Sequence, residues 1–237
     1  MSNLKRCILV TGASSGIGRA IARRLLVLGH EVIAASRDRQ QFKTSHVDFH
    51  TIAMDMADAE QIDVAARQVL KDFPHLDAVV FAAGFGRFGS LEQFSNNQIQ
   101  SLLQVNLIGQ MQLSRVVLPH LKQQAHANLI YLGSEAALKG SRNGSVYCAS
   151  KFALRGFSQA LREECGKSSV RVSLINPGMV DTAFFETLNF APGKQAGQAL
   201  HAEDIADTVQ YILQVGNHAV IDEINLSPAS KVIDFKK

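Results

Sequence analysis

The chain has 237 residues, 46% hydrophobic and 19% charged, which reads as a globular protein able to bury its own core without disulfides or metal. A formal charge of +3 with no Lys/Arg tract argues against nucleic-acid binding, and no stretch reaches membrane-spanning length. Cys7, Cys148 and Cys165 cannot all pair and the eight histidines are scattered, so free thiols in a reducing, cytoplasmic setting and no metal site are expected.

Short apolar runs alternate with amphipathic ones along the chain. Cys7–Val10, entered almost directly with no signal-peptide core before it, is the first strand candidate. The Thr11-Gly-Ala-Ser-Ser-Gly-Ile-Gly18 turn follows, leading into a helix marked by Ile17, Ile21, Leu25 and Leu28. Glycines at 12, 16 and 18 let the backbone approach a pyrophosphate, and the N–H groups of the helix start face it. Gly12, Ser14, Ser15, Gly16, Ile17 and Gly18 are therefore candidate cofactor contacts.

Glu31–Ala35 is the second strand, and it delivers Ser36 and Arg37 to the place where an acid would select NAD. With no carboxylate at the strand end, a hydroxyl and a guanidinium there favour the 2′-phosphate of NADP(H). Asp38 reads as a solvated loop acid unless it turns inward, and Arg39 adds positive charge nearby.

Strands follow at His50–Met54, Ala78–Phe81, Asn128–Leu132, Arg171–Ile175 and Val220–Asn225. Helical patterns lie between them: Ile62, Ala66, Val69 and Phe73, then about 97–123, 145–165 and 202–214. Strands separated by helix-length segments imply parallel pairing through right-handed crossovers. The expectation is an α/β, Rossmann-type, doubly wound seven-stranded parallel sheet with helices on both faces, one domain over 1–237. Residues 181–198, with weak periodicity, read as a loop or short helices able to serve as a lid.

Tyr147 and Lys151 are four apart in a helical segment and so share a face. An ammonium beside a phenol favours phenolate and should lower the tyrosine pKa toward the range useful for general acid/base work. Ser134 follows the fifth strand and reaches the same strand edge, and Asn106 lies on the preceding helix.

Taken in order, Thr11–Gly18, Asp55, Ala83-Gly84, Asn106, Ser134, Tyr147-x-x-x-Lys151, Pro177-Gly178 and Thr182 resemble the short-chain dehydrogenase/reductase family over nearly the whole chain. The resemblance implies Tyr147 as acid/base, Lys151 as its partner and a ribose contact, Ser134 on the substrate oxygen, and Asn106 holding a relay water. It also implies Asp55 and Met56 at the adenine, Pro177, Gly178 and Val180 at the nicotinamide, and Thr182 near its amide or the phosphates. One departure stands out. Where the family commonly has Asn-Ala-Gly, this chain has Ala82-Ala83-Gly84, which removes the Asn hydrogen bonds and should leave that strand end less rigid.

The implied activity is hydride transfer between NADP(H) and a small-molecule carbonyl or alcohol, in a homodimer or homotetramer paired through the long helices. Leu118, Leu121, Phe152 and Phe157 suit either core or interface. A non-catalytic NADP-binding sensor on the same fold is the alternative, and it would be expected to have lost Tyr147, Lys151 or Ser134. The substrate pocket is expected to draw on Phe85, Phe88, Glu135, Ala136, Arg142, Met179, Phe184 and Phe185. The late segment Asp222-Glu-Ile-Asn-Leu resembles relatives acting on short hydroxy acids.

Overall fold

The computed structural model describes residues 5–38, 44–216 and 218–236. Seven strands form one wholly parallel sheet: β1 (Cys7–Thr11), β2 (Glu31–Ser36), β3 (Phe49–Ala53), β4 (Ala78–Phe81), β5 (Ala127–Leu132), β6 (Val170–Pro177) and β8 (Glu223–Leu226). Their order is β3-β2-β1-β4-β5-β6-β8, so strand order reverses between β1 and β4 and a crevice opens at the carboxyl ends there.

Helices cover both faces: α1 (Gly16–Val27), α2 (Ala59–Asp72), α3 (Asn96–Leu103), α4 (Gly109–Leu121), α5 (Ser145–Glu164) and α6 (Ala202–Gln214). On one face Ile21 and Leu25 of α1 meet Ile205 and Val209 of α6 over Ile8, Val10 and Val32. On the other, Ile62 and Val69 of α2, Leu113 and Val117 of α4, and Leu154 and Leu161 of α5 pack on Leu9, Val79 and Leu129. Strands buried on both sides read as continuous apolar runs, which is why their positions were visible in the sequence. Asp58 caps α2 by accepting from the Glu60 and Gln61 amides at 3.0 Å, and Ser95 with Gln98 forms a capping box on α3.

Two expectations need correction. The pattern over 97–123 is not one helix: a π-turn at Gln104–Ile108 separates α3 from α4, with the Gly109 amide donating to the Gln104 carbonyl five residues back. Residues 181–198 are not only loop and short helix. After a 3₁₀ turn at Ala183–Phe185 comes β7 (Phe190–Pro192), antiparallel to β9 (Ile233–Phe235) near the end of the chain. Strands of three residues are too short for alternation to register. The Lys236 ammonium adds a tie to the Phe185 and Glu186 carbonyls. Among the described residues no helix is long and apolar enough to cross a membrane.

Candidate active site

The glycine turn lies between β1 and α1. Gly12 and Gly16 have φ of +67° and +49°, left-handed values that disfavour a side chain. A Cβ on Gly12 would sit 2.7 Å from Ala83 Cα, so the turn rests directly on the chain leaving β4. Ser15 is the extended N-cap of α1 and makes no side-chain cap bond. The first-turn N–H groups of α1 thus keep their capacity for an anion. Thr182 faces the turn, its Cβ 3.5 Å from where a Gly16 side chain would begin. These features fit a pyrophosphate. The Arg19 guanidinium bonds the Ser14 carbonyl and holds the loop from outside.

At the end of β2, the Ser36 hydroxyl donates to the Asp38 carbonyl at 2.8 Å, while Arg37 is exposed. Arg39 lies outside the described residues. Asp55 is engaged in a local turn, accepting from the Ala57 amide at 2.9 Å. The Met56 side chain is buried in the core, leaving its backbone as the part able to meet a ligand.

Ser134, two residues past β5, is held on both sides. Its amide donates to Asn176 Oδ1 at 3.3 Å, and its Oγ accepts from the Ala136 amide at 3.1 Å. The hydroxyl also faces the Tyr147 phenol and draws its pKa down. Tyr147 is in the first turn of α5, and Lys151, one turn on, donates from Nζ to the Leu132 carbonyl at 2.8 Å and stands 5.9 Å from the Tyr147 ring centre. Both side chains are buried.

The expected depression of the phenol is not what this cavity produces. Burial pushes Tyr147 up to about 12, against a smaller downward effect of Ser134, and burial brings Lys151 down to about 8. Desolvation penalises phenolate and ammonium alike, and it is the largest cause of both shifts.

Asn106 sits in the π-turn, fully buried. Its amide grips one backbone unit, Oδ1 accepting from the Phe85 N–H at 3.0 Å and Nδ2 donating to the Phe85 carbonyl at 2.9 Å, with a further bond to Ser150 Oγ at 3.3 Å. Its own carbonyl accepts from Gln110 Nε2 at 3.0 Å. Gln110, which sequence reasoning missed, also donates to the Ala83 carbonyl at 3.2 Å. Together with the Ala83 amide donating to Thr11 Oγ1 at 3.2 Å, it braces the strand end that lacks the usual Asn. Asn176 was missed as well. Besides holding Ser134, it donates to Glu223 Oε1 at 2.6 Å, and Glu223 pairs with Arg155 of α5 at 3.0 Å.

A cavity of about 650 Å³ opens at this strand edge. Ile17, Ala82, Ala83, Gly84, Ser134, Tyr147, Lys151, Pro177, Gly178 and Val180 all line it. The other candidates, at the glycine turn, Ser36, Arg37, Asp55, Met56, Asn106 and Thr182, lie outside its lining. All eight expected pocket residues line it too, from Phe85 and Phe88 through Phe184 and Phe185. Phe88 and Phe184 flank Tyr147, with ring centres 5.0 and 6.1 Å away. Phe190, Ile233, Phe235 and Lys231 join from β7, β9 and the segment before β9, and Lys231 pairs with Glu135 at 2.5 Å. The acids of Asp222-Glu-Ile-Asn-Leu do not line the cavity: Asp222 pairs with Arg162 at 2.8 Å and Glu223 with Arg155, both at the sheet edge.

The sequence profile of the short chain dehydrogenase family matches residues 6–192. An uncharacterized oxidoreductase of Staphylococcus epidermidis is 31% identical over 228 residues, covering 94% of this chain and 97% of its own. An alcohol dehydrogenase from the archaeon Thermococcus sibiricus, solved with 5-hydroxy-NADP, superposes with a TM-score of 0.84 at 27% identity, covering 94% of this chain and 96% of that one. A metagenomic short-chain oxidoreductase solved with NADP superposes at 0.80 with 29% identity, over 97% and 100% of the two chains. The chain belongs to the short-chain dehydrogenase family and is an oxidoreductase.

Proposed function

We propose that this chain is an NADP-dependent oxidoreductase, acting as one domain over 1–237, that interconverts the carbonyl and alcohol forms of a small molecule with Tyr147 as general acid/base. The observation that carries this reading is the convergence of Tyr147, Ser134 and Lys151 on one buried cavity beside a turn suited to pyrophosphate. Bound nicotinamide supplies or accepts the hydride. In reduction the Tyr147 hydroxyl gives its proton to the carbonyl oxygen as the carbon is reduced, and Ser134 donates a hydrogen bond to the same oxygen. A phenol held near 12 stays protonated as the acid; Lys151, held near 8, exchanges protons near neutrality and can restore the one Tyr147 gives up. Asn106 serves as a positioning residue, fixing Phe85 at the cavity wall.

Preference for NADP rests on Ser36 and Arg37 at a strand end with no acid, and two similar solved structures carry NADP or an analogue. The assay is NADPH oxidation across a panel of ketones, aldehydes and diones, with Tyr147→Phe as control. Turnover that depends on Tyr147 supports the reading; substrate turnover unaffected by Tyr147→Phe, or cofactor binding with no turnover on any carbonyl or alcohol, would favour the sensor instead.

Three buried cysteines with no disulfide are consistent with work in the cytoplasm. A homodimer or homotetramer is supported by Ile108, Met111 and Phe152, apolar yet exposed near and along α4 and α5. Leu118, Leu121 and Phe157 instead pack into the core.

A further inference from the structure

We infer that Cys7, Glu31 and His75 form a binding site for one divalent cation of the zinc class, at the end of the sheet opposite the cavity. Cys7 and Glu31 are the first residues of β1 and β2 and are cross-strand partners. His75 comes from the turn between α2 and β4, the other neighbour of β1. One ligand atom from each, a thiol sulfur, a carboxylate oxygen and an imidazole nitrogen, lies within 4.8 Å of the other two. A tetrahedral zinc site with bonds of about 2.0–2.3 Å separates its donors by about 3.4–3.6 Å, so side-chain adjustments of about 1 Å close the set.

Sulfur, nitrogen and oxygen donors together are the mixture that zinc and cobalt take, and that magnesium and calcium do not. The charges also match. A thiolate and a carboxylate neutralise a divalent ion, and the imidazole binds uncharged. The surroundings already orient the donors. His75 Nε2 is 2.5 Å from Glu31 Oε2, and His50 Nε2 is 3.1 Å from Glu31 Oε1. The Phe73 ring packs near both imidazoles, its centre 4.7 Å from His50 and 6.5 Å from His75. The Cys7 sulfur forms the buried floor, while His75 is exposed and gives the ion a way in.

On binding, the metal–sulfur bond forms as the Cys7 thiol proton passes to solvent; the proton shared by His75 Nε2 and Glu31 Oε2 is released to solvent as well, so that the neutral ring carries its one proton on Nδ1 and Nε2 turns its lone pair to the ion. No electron transfer is involved. Water, reaching the ion from the exposed His75 side, completes the fourth position. The ion would clip β1, β2 and the entry to β4 together, away from the reacting groups, and so act on stability and not on the chemistry.

The test uses the untagged full-length chain, stripped with a chelator, loaded with Zn²⁺ or Co²⁺ and dialysed. The expected result is one retained ion per chain, a thiolate-to-cobalt charge-transfer band in the near ultraviolet, and a higher melting temperature with zinc. Cys7→Ser should abolish the band, and His75→Gln, at an exposed position where folding is not at stake, should weaken retention at least about tenfold. No retained metal, retention without a thiolate band, or equal retention by His75→Gln would overturn the proposal.

Discussion

Replacing Lys151 by Met should abolish turnover and at the same time stabilise the protein at neutral pH. The amine is buried, and burial lowers its pKa from 10.5 to about 8. At about 1.4 kcal/mol per unit, keeping it charged costs the folded state about 3 kcal/mol at pH 7. Met fills a similar volume without a charge, but it forfeits the 2.8 Å bond to the Leu132 carbonyl, a loss of about 1 kcal/mol. The net gain is about 2 kcal/mol, or about 4–8 °C in melting temperature for a chain of this size. The pH dependence gives the sign. Between about 8 and 10.5 the unfolded chain still holds a proton on this amine that the folded chain has released, so the parent gains stability as pH rises through that window. Near pH 10 the cost falls below about 1 kcal/mol and the two proteins should converge. Tyr147 acts in the opposite direction above about 10, where the folded phenol keeps a proton the unfolded chain loses, so the comparison belongs at or below that pH. Urea unfolding of both proteins at neutral pH and near pH 10, with no cofactor added, measures the difference. A Met variant no more stable than the parent at pH 7, or a gap that does not close with pH, would refute the reasoning.

Tyr147→Phe should lower kcat by about 10²–10⁴ while leaving NADPH binding, followed by fluorescence titration, essentially intact. The parent should prefer NADP(H) over NAD(H) by at least about tenfold in kcat/KM, the worth of one charge-assisted contact, and Arg37→Ala should erode most of that; a preference that survives the change would remove Arg37 from cofactor choice. Gln110→Leu deprives the Ala83 and Asn106 carbonyls of their shared donor, so it should raise the KM for cofactor several-fold more than it lowers kcat, measured in steady state with saturating carbonyl substrate. Light scattering at micromolar concentration should give a mass at least twice 25.8 kDa, and Phe152→Glu should shift it toward the single chain.

The parallel sheet was legible in the sequence because burial on both faces leaves little but apolar residues in a strand. Ala78–Phe81 appears with the same bounds in both readings, and most of the others differ by a residue or two at an end. The seventh strand starts three residues later than expected, at Glu223, where Asn176 and Arg155 take up the acid. The π-turn was invisible for a physical reason. One extra residue in a helical ladder leaves the apolar residues on either side near helical spacing, yet it turns Asn106 inward to the Phe85 backbone. Gln110 and Asn176 carry no local signal for their bracing role, since the Ala83 carbonyl that Gln110 holds lies 27 residues away in the chain and the partners of Asn176 lie 42 to 49 away. Spacing alone does not give the direction of the Tyr147 shift: it reports the neighbour, Lys151, whereas the shift is dominated by exclusion of water.

The two halves of the site differ in how they are built, and this bears on how the family chemistry can be redirected. The groups proposed to react stand on the scaffold, Ser134 just past β5 and Tyr147 and Lys151 within a single turn of α5, and so does the positioning residue Asn106, in a turn locked by Gln110. The wall opposite them is assembled from segments around 85–88, 135–142, 184–190 and 231–235, with Phe190 and Phe235 brought together only by the β7–β9 pairing and Lys231 anchored on Glu135. Side chains in that wall can change without moving β5 or α5, because few of them share a hydrogen bond with the reacting groups. Under the proposed function, selection for a new carbonyl compound can therefore act on Phe190 or Phe235 while strand and helix hold the proton-transfer geometry.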